Sequence, residues 1–289
     1  MDVKMVFNNV LNVFSEFLVQ HIAGNALFKG MAKFVNRSFS PRKDVLINVH
    51  KHKMFASTLD RLLALYLWKF SALEAFETTL MKKIVKKGMV VFDVGANIGY
   101  YTLIIADLVG KNGKVYAFEP DPENYRLLMK NIKVNGYRNV IAVKKAISNK
   151  TGKINLFLSE EHRGNHSIFS LGEDRNVIKV ESITLDKFVK NKINPTIIKV
   201  DVEGAEFLVI QGMNKLIKTN KDVTLICEFS PEGLRKSGNS PQKFINKLEN
   251  YGFKIKFINE KDKRVEPISG SSLIKMCSGS KYTNLFLRR

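Results

Sequence analysis

Three acidic residues stand where short apolar runs end: Asp93 after Val90-Val91-Phe92, Glu119 after Tyr116-Ala117-Phe118, and Asp201 after Ile197-Ile198-Lys199-Val200. Carboxylates can grip the hydroxyls or cationic groups of a ligand, accept a proton in a reaction, or hold a divalent ion. The first opens a glycine turn, Asp93-Val94-Gly95-Ala96-Asn97-Ile98-Gly99-Tyr100. Missing Cβ atoms there let the backbone turn tightly and approach a ligand closely, and the helix that follows leaves its first N–H groups free. The spacing departs twice from the dinucleotide fingerprint G-x-G-x-x-G, which would need glycine where Asn97 and Tyr100 stand. Asp93 would also repel a pyrophosphate, but it would attract the ammonium or sulfonium of S-adenosylmethionine. Glu119, roughly twenty residues beyond the turn, is placed to accept both hydroxyls of a ribose. The plainer alternatives are a ligand-free loop at the turn and an acid that only begins the next loop at Glu119.

The third site is the densest: Asp201-Val202-Glu203-Gly204-Ala205-Glu206. Asp201, Glu203 and Glu206 are candidate catalytic residues, since methylation of an alcohol needs a base for the hydroxyl proton or a metal to acidify it. Asp201 and Glu203 are the candidate ligands of a divalent ion. Capping of a helix that begins near Gly204 would also explain carboxylates here. Lys199 is expected to pair with one of them. Two histidine pairs carry weaker signals. His50 and His52 share a face if residues 45–55 form a strand, but no third ligand is near, so they receive no role. His162 and His166 fall in a polar loop over residues 159–170 that reads as a substrate gate.

To bring these acids together the chain must present several strand ends on one rim. Residues 89–92, 114–118, 140–143, 197–200 and 223–227 are unalternating apolar runs, the pattern of strands buried on both faces of a parallel sheet. Helical patterns over 73–85, after Gly99, over 122–135 and over 241–251 alternate with them, which makes the fold class α/β with ligands outside the strands' carboxyl ends. Ala146 and Ile147, just past the third strand, could border a flat base. Residues 153–158 and 177–182 read as further strands, and 253–258 with 283–287 as a closing pair containing an antiparallel strand.

At 289 residues and 45% hydrophobic the chain can bury one sizeable core. Its formal charge of +20 would attract phosphate, nucleic acid or anionic lipid, or would simply reflect lysine-rich solvated faces. Two cysteines, Cys227 and Cys277, argue against a disulfide scaffold and suit a reducing compartment, which leads to the expectation of a cytoplasmic protein. No apolar run is long enough to span a membrane. Residues 1–40 instead read as an amphipathic helix, with Val3, Phe7, Val10, Phe14, Phe17 and Leu18 on one side and Lys29, Lys33, Arg37, Arg42 and Lys43 close behind. Such a helix could cap the core, join a homo-oligomer or lie at the periphery of an anionic membrane.

The glycine turn, Phe118-Glu119-Pro120 and Ile198-Lys199-Val200-Asp201-Val202-Glu203-Gly204-Ala205-Glu206, preceded by Val180-Glu181-Ser182-Ile183-Thr184-Leu185-Asp186, resemble the FkbM family of S-adenosylmethionine-dependent methyltransferases. The resemblance runs from about Leu73 to Leu287. It implies a Rossmann-like seven-stranded, mostly parallel sheet of order 3-2-1-4-5-7-6, its last strand antiparallel, with helices on both faces. The domain would occupy residues 73–289, behind a mainly helical or hairpin extension over 1–72 that helps choose the acceptor. Carried over by position, Asp93, Gly95, Ala96, Asn97, Gly99 and Tyr100 look like the cradle of the cofactor's methionine side. Glu119 and Pro120 would meet the ribose, Ala146 the base, and Asp201 the substrate. The implied activity is O-methylation of a sugar, glycolipid or secondary-metabolite hydroxyl, with a divalent metal as an optional helper. The competing expectations are an RNA methyltransferase, suggested by the charge, and a non-catalytic scaffold that binds cofactor or lipid. A nicotinamide dehydrogenase is disfavoured by the missing glycines.

Overall fold

The computed structural model describes residues 44–57, 60–70, 73–159, 167–169, 176–190 and 192–289. The N-terminal amphipathic helix, with the membrane and oligomer contacts expected of it, lies outside these residues, as do His162 and His166.

The chain enters through a hairpin, β1 (Asp44–Val49) and β2 (His52–Ser57), followed by the helix Arg61–Phe70. The helix Ala75–Ile84 leads into β3 (Val90–Val94), the helix Tyr100–Val109, β4 (Lys114–Phe118), the helix Pro122–Val134 and β5 (Val140–Val143). A small sheet follows, made of β6 (Ala146–Ile147), β7 (Gly152–Leu158) and β8 (Asn176–Ile183). The short helix Leu185–Val189 precedes β9 (Ile197–Val200), the helices Glu206–Gln211 and Asn214–Thr219, and β10 (Thr224–Phe229). The helices Pro231–Lys236 and Pro241–Asn250 come next, then β11 (Lys254–Asn259), β12 (Arg264–Pro267), the helix Gly270–Met276 and β13 (Thr283–Arg288).

The main sheet runs β12-β11-β13-β10-β9-β3-β4-β5. Strands β5, β4, β3, β9 and β10 are mutually parallel, and β13 is antiparallel to both β10 and β11. The sheet is therefore the expected α/β class, but it has eight strands rather than seven. The additional β12 folds back on β11 through a turn at residues 260–263, in which Lys263 has φ 52° and Asn259 donates to Asp262 and Glu266. Its only apolar side chain is Val265, too little hydrophobic pattern to announce a strand.

Both sheet faces are covered. Val91 and Val115 pack against Leu103, Ile104, Leu127 and Leu128, while Phe92, Val200 and Leu225 pack against Val209, Ile210, Leu216, Phe244 and Leu248. Full burial of each such side chain contributes about 1.5–3 kcal/mol. That double cover is why the parallel strands show no polar alternation. The hairpin joins the first face through Ile47, Val49, Met54 and Ala56. Asn131, fully buried, accepts from the Phe55 N–H and donates to the carbonyls of Phe55 and Ile98. The compact unit spans Asp44–Arg289. Among the described residues, no helix is long and apolar enough to cross a membrane.

Candidate active site

The carboxyl ends of β3, β4, β9 and β10 open into a cavity of 710 Å³. At the end of β3 the chain turns at Gly95, with φ 88°, where a Cβ would come within 1.7 Å of the Asp201 carbonyl oxygen. Glycine is required because the end of β9 passes that close. The Gly95 and Ala96 N–H groups both donate to the Phe118 carbonyl at 3.0 Å, which fastens the turn to β4. Asn97 is left-handed at φ 50°, and its buried Oδ1 has no hydrogen-bond partner although the residue lines the cavity.

Glu119 follows β4 and is 5% exposed. Its Oε2 accepts from the Asn97 N–H at 2.8 Å and its Oε1 from the Asp121 N–H at 2.9 Å. Each oxygen keeps a lone pair for a ligand. Burial pushes its pKa up to about 8 against the pull of those two N–H groups. Pro120, Ala146 and Tyr100 also line the cavity, whereas Gly99 meets Leu128 instead. Asp93 is buried and accepts from the Thr102 hydroxyl at 2.5 Å, and burial raises its pKa.

The second half of the cavity is acidic. Lys199, inside β9 and 3% exposed, donates to Asp201 Oδ2 at 2.7 Å, approaches Glu77 Oε1 at 3.8 Å and lies 4.4 Å from the centre of the Tyr101 ring. Burial alone would lower the pKa of this ammonium, but Asp201, Glu77, Glu74 and Asp93 together hold it well above its ordinary value. Glu77 has no exposed surface and burial pushes its pKa up to about 8. Glu74 accepts from the Tyr101 hydroxyl and from the Asn284 amide. These two glutamates, which suit a helix N-terminus by sequence, thus turn inward. The Phe76 and Glu77 N–H groups are instead capped by the Glu260 carboxylate, from the turn between β11 and β12.

Asp201 and Glu203 line the cavity as expected, and β10 adds Glu228, the residue directly after the apolar run 223–227. One oxygen from each of the three lies within 4.8 Å of the others. Burial and the neighbouring carboxylates push the pKa of Glu203 up to about 8 and raise that of Glu228 well above its ordinary value. Glu203 holds a left-handed backbone at φ 50°, and its carbonyl accepts from the Ser167 hydroxyl. Glu206 departs from its expected catalytic place. It is 1% exposed, it does not line the cavity, and its Oε1 accepts from the Val202 and Gly204 N–H groups. Those bonds hold the turn that begins at Asp201, the capping alternative in another form, while the buried Glu206 Oε2 has no hydrogen-bond partner. The two hairpin histidines are engaged with tyrosines, His50 with Tyr100 and His52 with Tyr137. Glu74, Glu228 and Tyr282 are among the cavity residues that sequence reasoning missed. The signal for Glu228 was its place at a strand end, but Glu74 and Tyr282 arrive through loops that carry no motif.

The model of the Methyltransferase FkbM domain matches residues 93–255, more than half of the chain. The hexuronic acid methyltransferase AglP of Haloferax volcanii is 29% identical over 133 residues, 45% of this chain and 52% of that protein. A protein-L-isoaspartate O-methyltransferase of Methanococcoides burtonii is 39% identical over 59 residues, 20% of this chain and 29% of that protein. The chain therefore spans about half the length of the first relative and less than a third of the second. Among solved structures, Aeropyrum pernix fibrillarin with natively bound S-adenosyl-L-methionine aligns with a TM-score of 0.43 at 10% identity, covering 88% of this chain and 86% of that one. The matched segment begins at the Asp93 turn and takes in Glu119, Asp201, Glu203 and Glu228, and by that match the chain belongs to the FkbM methyltransferase domain family.

Proposed function

We propose that this protein is an S-adenosylmethionine-dependent O-methyltransferase that acts on a hydroxyl of a sugar, glycolipid or secondary metabolite. The observation that carries the reading is the meeting, in one cavity, of the glycine turn, Glu119 and Asp201 from three adjacent strand ends. The residues fit the cofactor. Asn97 offers a buried, unpartnered oxygen, and Glu119 offers two oxygens, each fixed by one backbone N–H, to a pair of ribose hydroxyls. Asn97 and Glu119 would hold it, with Pro120 and Ala146 beside its nucleoside.

When bound, the cofactor supplies an electrophilic methyl group on sulfur. The protein's part is mainly alignment, since a well-oriented pair of reactants removes much of the barrier. The acceptor hydroxyl must lose its proton as its oxygen takes the methyl group. Asp201 is the base: Lys199 fixes its Oδ2, which leaves Oδ1 toward the cavity. Leu63, Leu67, Leu156 and Ile168 give the same cavity apolar walls.

Calorimetric titration with S-adenosylhomocysteine tests the reading. Micromolar binding by the wild type, weakened at least about tenfold by Glu119→Ala through the loss of two buried hydrogen bonds to the ribose, is the expected result. No binding by either protein would refute it.

A further inference from the structure

The strand order divides the cavity into halves of different chemistry. Beside β3 and β4 stand Asn97, Glu119, Pro120 and Ala146, and beside β9 and β10 stand Asp201, Glu203 and Glu228, joined by Glu74 and Tyr282. Among the described residues two basic side chains line this space. Lys199 is engaged by Asp201 and Glu77, and Lys145 adjoins Ala146 in the first half. An acid entering the second half would therefore be placed among three acidic groups already within 4.8 Å of one another, where the ammonium of Lys199 is already taken up by Asp201 and Glu77.

A hydroxyl-rich ring meets the opposite situation. Its O–H groups donate to ionised carboxylates and accept from protonated ones, so it is satisfied however the protons are shared. An ammonium would be bound more strongly still. Tyr282, 61% exposed at the same rim, offers an aromatic face for the apolar side of a sugar ring.

Building on the methyltransferase reading, we propose that the acceptor is an uncharged or amino-bearing sugar rather than an acidic one, and that Glu203 and Glu228 enforce the distinction. The acceptor would then differ in charge from the hexuronic acid named for the Haloferax volcanii relative.

The test is calorimetric titration of the full chain, saturated with S-adenosylhomocysteine and in the presence of a chelator, with methyl glucoside, glucosamine and glucuronate. The first two are expected to bind, and glucuronate to bind at least about tenfold more weakly. In the double variant Glu203→Gln, Glu228→Gln, glucuronate is expected within about twofold of the glucoside. Glu203→Gln alone, with half the effect, serves if the double variant does not fold. Glucuronate binding as tightly as the glucoside, discrimination that survives in a folded variant, or no binding of any sugar would each overturn the proposal. So would Mg²⁺ making glucuronate the better ligand, which would assign the three carboxylates to a metal. Loss of S-adenosylhomocysteine binding itself would overturn both readings, whereas lost sugar discrimination with that binding intact overturns this one alone.

Discussion

Two carboxylates of the cavity differ in what holds them, and so in what their removal should do. Glu119 is gripped by backbone N–H groups on both oxygens, which fixes its direction toward one ligand. Asp201 is anchored on one oxygen by a buried ammonium, which leaves the other for chemistry. Asp201→Asn keeps the shape but cannot take a proton, so methyl transfer should fall by about 10²–10⁴-fold. S-adenosylhomocysteine affinity should change by less than about threefold. Measuring both separates the roles, and unchanged turnover in a folded variant would remove Asp201 from the mechanism.

Two connections between elements decide whether these residues meet. The Glu260 carboxylate receives the Phe76 and Glu77 N–H groups at 2.9 and 2.7 Å, capping the helix that buries Glu77 beneath Lys199. Glu260→Ala should destabilise the protein by about 0.5–2 kcal/mol in urea unfolding, the ordinary value of a helix cap. A change within error would mean that solvent caps the helix equally well. Asn131 carries the second connection, joining the hairpin strand at Phe55 to the Ile98 carbonyl in the glycine turn. Asn131→Ala leaves buried backbone groups at both ends unpaired and should cost about 2–4 kcal/mol. A loss below about 0.5 kcal/mol would show that the hairpin docks through its apolar contacts alone.

At the scale of the whole molecule, the fold buries acids that prefer their protons. Burial pushes Glu77, Glu119 and Glu203 each up to about 8. The unfolded chain releases these protons near the ordinary value of 4.5, so between the two values the folded state binds more protons and stability falls as pH rises. Each group contributes at most about 1.4 kcal/mol per pH unit in that window. The unfolding midpoint should therefore drop from pH 5 to about pH 8 and level off above it, on the order of a few degrees per unit within that window. Glu77→Gln, which keeps the volume and removes the titration, should flatten the slope. A slope identical to the wild type's would show that Glu77 does not titrate in this range.

The amino-acid sequence by itself determined the parallel strands, the glycine turn and the three acidic strand ends, because each is written in contiguous residues. A buried strand is a continuous apolar run, and a tight turn needs glycine at fixed offsets. It also determined that Asp93, Glu119 and Asp201 share a rim, since consecutive parallel strands in an α/β sheet end on one side. Only the tertiary structure decided which neighbours they acquire. Glu228 joins Asp201 because β10 lies beside β9 in register, and Glu74 and Tyr282 arrive from loops more than 200 residues apart. Glu206 sits behind the cavity wall because its side chain accepts from the Val202 and Gly204 N–H groups of its own turn. The hairpin and β12 were likewise settled by packing and pairing across the chain, contacts that no local pattern of residue types encodes.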